Sequence, residues 1–191
     1  GGTSFNEVFL TDARVPDEYR VGDIGEGWKV ALTVLGFERG SSNGSSRVGG
    51  NWAQAKALAE HLGLTDDPVM RDELARLYSQ YRIMVLNNQR VAAQMKAGQA
   101  PGPEGSISKM IWVKSMNLMS DVISKMLGPR MTADTGEWGT YEWNEHLLGA
   151  PGYRIAGGSD EIQRNIVGER VLGLPGEPRV DKNIPYKDIL K

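Results

Sequence analysis

The stretch from Val69 to Lys96 constrains the fold more than any other, because it contains neither glycine nor proline. Asp67 and Pro68 come directly before it and supply an N-cap and a proline suited to the first helical turn. The pattern therefore predicts one long helix over this stretch, and the other elements have to be arranged around it.

Apolar residues spaced three and four apart predict further helices on both sides of this stretch. We expect an interrupted helix from Gly25 to Leu62, another from Pro103 to Leu127, a short one near Trp143 to Leu148, and a last one from Ser159 or Asp160 to Leu172. Short links favour antiparallel neighbours, so the predicted fold is all-α, a four-helix up-and-down bundle. The first helix is expected to bury the apolar stripe formed by Trp28, Ala31, Leu32 and Leu35.

The first 23 residues have a different pattern. Phe5, Val8 and Phe9, followed by the turn at Val15 and Pro16, indicate one or two short strands. A lone strand leaves its backbone groups unpaired, so these residues would need a sheet that the rest of the chain does not obviously provide. We therefore divide the chain into residues 1–23, a strand and linker of another domain, and residues 24–191, the helical domain.

The composition is that of an ordinary globular protein, with 40% hydrophobic and 24% charged residues. A formal net charge of -2 and dispersed basic residues argue against nucleic-acid binding. The absence of cysteine excludes disulfides and fits a cytoplasmic location, and no apolar run is long enough for membrane insertion. His61 and His146 are the only histidines, too few for a histidine-rich metal site, so we expect no metal.

Three segments resemble the acyl-CoA dehydrogenase family in the same order along the chain. The most specific is Gly157 to Pro175, which is similar to the family's C-terminal signature, a Gly-Thr or Gly-Ser turn opening a helix that carries Glu-Ile-Gln-Arg-Asn. Gly25 to Gly40 resembles the first helix of the family's C-terminal domain. Phe5 to Pro16 resembles the strand that leaves its middle β-domain.

This resemblance implies FAD-dependent α,β-dehydrogenation of an acyl-CoA thioester in fatty acid or other lipid metabolism. It also implies an oligomer, a homodimer or homotetramer or a complex with a partner subunit, and an acceptor such as an electron-transfer flavoprotein. Family members carry an N-terminal helical domain and a middle β-domain that builds much of the flavin pocket. Residues 1–23 are then the remainder of that middle domain, and we expect the chain alone to be inactive.

Glu38 is the candidate catalytic base, with Arg39 beside it as a substrate-site residue. Continuing the apolar stripe from Leu35 by three and four residues reaches both of them. A base of this kind needs a dry site and a pKa tuned toward neutrality. In one branch of the family, similar to isovaleryl-CoA dehydrogenase, the base lies on this helix in Leu-Glu-Arg, which matches Phe37 to Arg39. The alternative is that both side chains are solvated.

Gly157 stands where the commoner branch of the family has its base, in a Tyr-Glu-Gly-Thr segment. The resemblance still gives the Gly157 N–H a role, because the family uses it to donate to the thioester carbonyl as negative charge develops there. Ser159 and Glu161 match positions that contact FAD at the start of the last helix. Without the resemblance, the glycines form a tight turn and Ser159 or Asp160 is an N-cap.

Two departures from the family pattern leave a second function open. Glu60 to Leu64 lacks the arginine and phenylalanine of a segment that holds a neighbouring subunit's FAD, and Lys125 to Met131 replaces an adenine-side Gln-x-x-Gly-Gly-x-Gly segment. The chain then belongs either to an enzyme that uses Glu38, or to a non-catalytic subunit that supports assembly of a heteromeric dehydrogenase.

Overall fold

A computed structural model describes residues 6–41, 50–99, 102–141, 143–179, 181 and 184–189, and for residues 38–41 and 186 it describes the backbone alone. Within this part of the chain there are α-helices, short 3₁₀ turns and a π-helical turn but no strand, so the all-α prediction is confirmed. The helices are α1 (Gly27–Ser41), α2 (Trp52–His61), α3 (Pro68–Lys96), α4 (Gly105–Leu127), α5 (Asn144–Gly149) and α6 (Asp160–Ile166).

The helix ends follow from local side-chain chemistry. The carboxylate of Asp67 accepts the Val69 N–H at 2.9 Å, with Pro68 in the first turn of α3 as predicted. Asn51 and Gln54 form a reciprocal capping box at the start of α2, with distances of 2.9 and 3.1 Å. After α6 the chain continues for Val167–Val171 as a π-helical turn, so the last helical segment ends one residue before the predicted Leu172.

The chain divides into two compact units, Gly1–Leu35 and Gly36–Lys191. In the first unit the predicted strands do not form among residues 6–23, where the only regular element is a 3₁₀ turn at Asp17–Tyr19. Phe5 lies outside the described residues. Val8 and Phe9 are exposed, and within the described residues no strand pairs with this segment.

The larger unit has its core where α2, α3 and α4 pack together, and α4 also contacts α5 and α6. Leu58 of α2, Leu77 of α3 and Ile123 of α4 are almost completely buried there. In α2, the second part of the interrupted helix predicted up to Leu62, the apolar residues Ala55, Leu58 and Ala59 are spaced three and four apart and are inaccessible to solvent. None of the described helices is long and apolar enough to cross a bilayer.

The predicted burial of the first helix's stripe is wrong for this chain. Trp28 is 75% exposed, Leu32 45% and Leu35 46%, and Ala31 is exposed as well. Amphipathic spacing predicts which face a helix will bury but does not provide the surface that covers it.

Candidate functional site

The turn Gly157 to Ser159, immediately before α6, has a backbone that only glycine adopts readily. Gly157 has φ of 66° and Gly158 of 94°, both in the left-handed region. A Cβ on Gly158 would lie 2.5 Å from Nε2 of Gln163, whereas one on Gly157 would meet open space. Position 158 therefore favours glycine for both conformation and space, and position 157 favours it for conformation.

Gln163 of α6 holds this turn in place. Its Nε2 donates to the carbonyl oxygen of Gly157 at 2.8 Å, and its side chain is almost completely buried. Within the described residues the Gly157 N–H has no hydrogen-bond acceptor, and the glycine is exposed. The turn therefore exposes the backbone N–H of Gly157 at the surface. The peptide that follows Gly157 is held in place by Gln163.

An ion cluster whose carboxylate is buried lies at the base of the same turn. Asp160, the first residue of α6, accepts from Lys109 Nζ of α4 at 3.1 Å and from Arg154 Nε at 3.0 Å. The side chains of Asp160 and Lys109 are only 11% and 9% exposed. Burial raises the pKa of the Asp160 carboxyl, but the hydrogen bonds and charges of Arg154 and Lys109 lower it more, so the pKa lies below its usual value.

Ser159 is half-buried and Glu161 is exposed at the first turn of α6. The Ser159 hydroxyl accepts the Ile162 N–H at 3.4 Å, which makes Ser159 the N-cap, as the alternative interpretation predicted. The pKa of Glu161 is lowered first by its own backbone N–H and then by the Ser159 hydroxyl. Both residues are thus held by contacts within the turn, and Glu161 remains charged.

This charge limits which part of FAD these residues could hold. A free helix N-terminus favours anionic groups, but here the Glu161 carboxylate already interacts with a first-turn N–H and would repel a phosphate. Ser159 and Glu161 instead fit a group that donates hydrogen bonds, such as a hydroxyl or a ring N–H. FAD contains such groups in its ribityl chain and flavin ring, and those groups would suit the two residues better than its diphosphate would.

Glu38 and Arg39 lie in the last turn of α1, where the structure describes only the backbone. Phe37, the last described side chain before them, is 58% exposed. The positions of the Glu38 and Arg39 side chains lie outside the described residues. The predicted approach of the Glu38 carboxylate to the Gly157 turn therefore stays a prediction.

The two segments that depart from the family pattern make contacts within the bundle. The His61 ring lies 4.9 Å from the Trp138 ring, centroid to centroid. Lys125 pairs with the buried carboxylate of Glu73, and Arg130 pairs with Glu137 at 3.4 Å. These side chains therefore have partners within the bundle in this chain.

Lys109 and Arg154 were missed by the sequence analysis, although they complete the ion cluster. Lys109 had a signal of its own, because it shares a helix face with the apolar residues Trp112 and Val113, three and four positions later. A lysine on such a face either extends its ammonium to solvent or pairs with a carboxylate. Arg154 lies in an irregular segment whose pattern gave no indication of a partner.

Comparisons with known proteins agree with the all-α fold. Residues 25–172 match the family model described as acyl-CoA dehydrogenase, C-terminal domain. Acyl-CoA dehydrogenase IpdE1 of Mycobacterium tuberculosis is 36% identical over 184 residues, covering 94% of this chain and 46% of that protein. Acyl-CoA dehydrogenase FadE34 of the same organism is 30% identical over 175 residues, covering 92% of this chain and 24% of that protein.

The solved structure of the Tcur3481-Tcur3483 steroid ACAD has a TM-score of 0.72 with this chain at 22% identity, covering 88% of this chain and 45% of that one. The chain spans about half the length of IpdE1 and of this structure's chain. The match over residues 25–172 and the similarity to IpdE1 place the chain in the acyl-CoA dehydrogenase family, whose C-terminal domain it contains.

Proposed function

We propose that this chain forms the C-terminal part of an FAD-dependent acyl-CoA dehydrogenase that introduces an α,β double bond into an acyl-CoA thioester. Residues 24–191 are the helical domain, and residues 1–23 lead into it from a middle β-domain. The observation that carries the proposal is the exposed Gly157 N–H on a turn fixed by Gln163 and Asp160. An exposed backbone donor without an acceptor suits a ligand oxygen on which charge develops.

The Gly157 N–H is proposed to donate to the thioester carbonyl oxygen. Removing a proton from the carbon next to the thioester moves negative charge onto that oxygen, so a fixed donor lowers the barrier without having to reorganise. Because Gly157 carries no side chain, it leaves the oxygen free to approach.

Glu38 is proposed as the base that takes this proton, with Arg39 ordering the site. Position 157 has no carboxylate, so a working enzyme of this family must take its base from elsewhere, and Phe37 to Arg39 matches the alternative position. FAD, when bound, accepts the hydride that leaves the next carbon. Ser159 and Glu161 would hold its hydrogen-bond donating groups.

The exposed apolar face of α1 fits a chain that packs against other domains or subunits. Trp28, Leu32 and Leu35 on α1 would be covered by the other domains or by a second subunit, in a homo-oligomer or with a partner. We therefore expect the chain alone to be inactive. The electron acceptor is proposed to be an electron-transfer flavoprotein or a similar protein, and the setting to be lipid metabolism in the cytoplasm.

A second candidate is a non-catalytic subunit that supports assembly of a heteromeric dehydrogenase. The replaced segments around His61 and Lys125 favour it, because both make contacts within the bundle in place of the family's FAD residues. In addition, the name of the similar steroid ACAD joins two designations, Tcur3481 and Tcur3483.

The experiment is a flavin titration of the natural protein that contains this chain, purified with any subunit that accompanies it. We expect a yellow protein whose flavin absorbance bleaches when an acyl-CoA is added. Glu38→Gln should keep the flavin and slow the bleaching about 100- to 10,000-fold, the usual contribution of a general base. Glu169→Gln, at an exposed position in the segment after α6, is the matched control and should bleach at the wild-type rate.

The two candidates predict different results. A protein without flavin, or a flavoprotein in which Glu38→Gln bleaches at the wild-type rate, would contradict the assignment of the base. If only a copurifying partner binds flavin, the assembly role is supported. A panel of straight-chain, branched and polycyclic acyl-CoA thioesters would then identify the acyl group.

A further inference from the structure

Arg154 and Asp160 stand at the two ends of the loop that contains Gly157. The Arg154 Nε to Asp160 Oδ2 distance of 3.0 Å closes this loop across its base. The Lys109 ammonium lies at 3.1 Å from the other carboxylate oxygen and at 3.5 Å from the Arg154 carbonyl oxygen. One carboxylate thereby ties both ends of the loop to α4.

The ion cluster of Asp160, Lys109 and Arg154, which we call the clasp, helps to set the orientation of the Gly157 N–H. Gln163 fixes the Gly157 carbonyl at 2.8 Å, which sets the peptide after Gly157. The peptide that carries the Gly157 N–H comes before it, on the side of the loop that leads back to Arg154. The fixed end at Arg154 and the φ of 66° at Gly157 help to determine where that N–H points, together with the hydrogen bonds from the Ile155 and Ala156 N–H groups to the Gly152 carbonyl oxygen, both 3.1 Å.

We propose that Asp160 is a positioning residue for the reaction, since its pairing with Lys109 and Arg154 aims the Gly157 N–H at the thioester oxygen. The inference rests on the proposed function. A donor that is misplaced by about 1 Å costs up to about 100-fold in rate. The loss is expected in kcat, because the donor matters most when negative charge has developed on the oxygen.

The bundle contains a matched control for this cluster. Glu73 of α3 is also a buried carboxylate held by two cations, Lys125 and Arg76. Lys125 lies 16 residues after Lys109 on α4, roughly 24 Å along the helix. Glu73→Gln therefore disturbs a comparable ion cluster without reaching the loop.

The test uses Asp160→Asn, Arg154→Met and Glu73→Gln in the natural protein with its flavin. We expect Asp160→Asn to lower kcat about 10- to 100-fold with KM changed less than about threefold. Arg154→Met is expected to lower kcat less, because Lys109 still holds Asp160. Glu73→Gln should keep the wild-type kcat.

Two readouts do not depend on turnover. Hydrogen exchange of a peptide covering residues 155–159 should become faster in Asp160→Asn and stay unchanged in Glu73→Gln. Acetoacetyl-CoA, whose enolate resembles the charge that develops during proton removal, should bind Asp160→Asn more weakly by about the factor lost in kcat. A structural loss elsewhere in the bundle would not produce this selective weakening.

Wild-type kcat and wild-type exchange in both Asp160→Asn and Arg154→Met would overturn the inference while leaving the proposed function standing. An equal loss of kcat in Glu73→Gln would also overturn it, because the effect would then be a general loss of stability. If Asp160→Asn does not fold, Arg154→Met decides, since that side chain is 55% exposed. A wild-type protein that neither binds flavin nor oxidises an acyl-CoA would overturn both.

Discussion

The contact between Leu58 and Gly139 gives a quantitative test of the core. Leu58 of α2 is completely buried, and a Cβ placed on Gly139 would lie 2.7 Å from its Cδ1. Leu58→Ala leaves a cavity and is expected to cost about 3 kcal/mol of unfolding free energy. Gly139→Ala is expected to lower the unfolding free energy for two reasons. Its Cβ overlaps with Leu58, at a cost of about 1 to 3 kcal/mol, and a non-glycine residue at φ of 82° is strained.

The two substitutions are expected to be strongly non-additive. In the double variant the overlap is absent, because the alanine Cβ of position 139 enters the space left by the Leu58 side chain. The double variant should therefore lose less free energy than the sum of the single losses, by about 1 to 3 kcal/mol. Only the backbone strain at position 139 remains as a cost of the second substitution.

Urea denaturation of the 191-residue chain, followed by far-ultraviolet circular dichroism, measures all the free energies. Leu148→Ala is the control for the loss of a leucine side chain, since Leu148 is 73% exposed, and it should change stability by less than about 0.5 kcal/mol. Additive losses in the double variant would refute the packing of Gly139 against Leu58.

Two further predictions concern a buried imidazole and the signature turn. His146 donates from Nε2 to the Met116 carbonyl at 3.0 Å, and burial lowers its pKa more than this hydrogen bond raises it. The unfolded chain therefore binds the proton first, and stability should be complete above about pH 6.5 and fall as the pH drops below it, by at most about 1.4 kcal/mol per pH unit. Gly158→Ala should weaken the Gln163 bond to Gly157 and speed hydrogen exchange of the turn.

The His146 prediction and the Gly158 prediction would each be contradicted by a different result. For His146 the measurement is the free energy of unfolding between about pH 7.5 and about pH 5 in wild type and in His146→Gln. If this free energy changes with pH equally in both proteins, His146 is not the cause of the loss of stability. For the turn, Gly157→Ala is the comparison, because its added Cβ meets open space. Equal exchange in the two glycine variants would show that contact with Gln163 does not matter.

The helices that form the core could be predicted because each carries its own signals. Asp67 and Pro68 mark the start of α3, and the spacing of Ala55, Leu58 and Ala59 marks the buried face of α2. The same spacing on α1 predicted burial that is not observed. Periodicity shows that a face is apolar, but its partner has to be found in other parts of the structure.

The candidate site was predictable only in part. The turn at Gly157 and Gly158 and the cap at Ser159 are local, so a short motif specifies them. The clasp joins Lys109 to Asp160 across 51 positions of the sequence, and no local pattern encodes such a pair. Long-range ion pairs depend on how α4 packs against α6, which is decided by the core.

The central claim is that Glu38 and the Gly157 turn act on one thioester, and a structure of the natural protein with a bound, unreactive acyl-CoA analogue tests it most directly. We expect the thioester oxygen at about 2.7 to 3.1 Å from the Gly157 nitrogen, with the Glu38 carboxylate against the adjacent carbon. A Glu38 carboxylate in bulk solvent, or a thioester bound away from this turn, would contradict it.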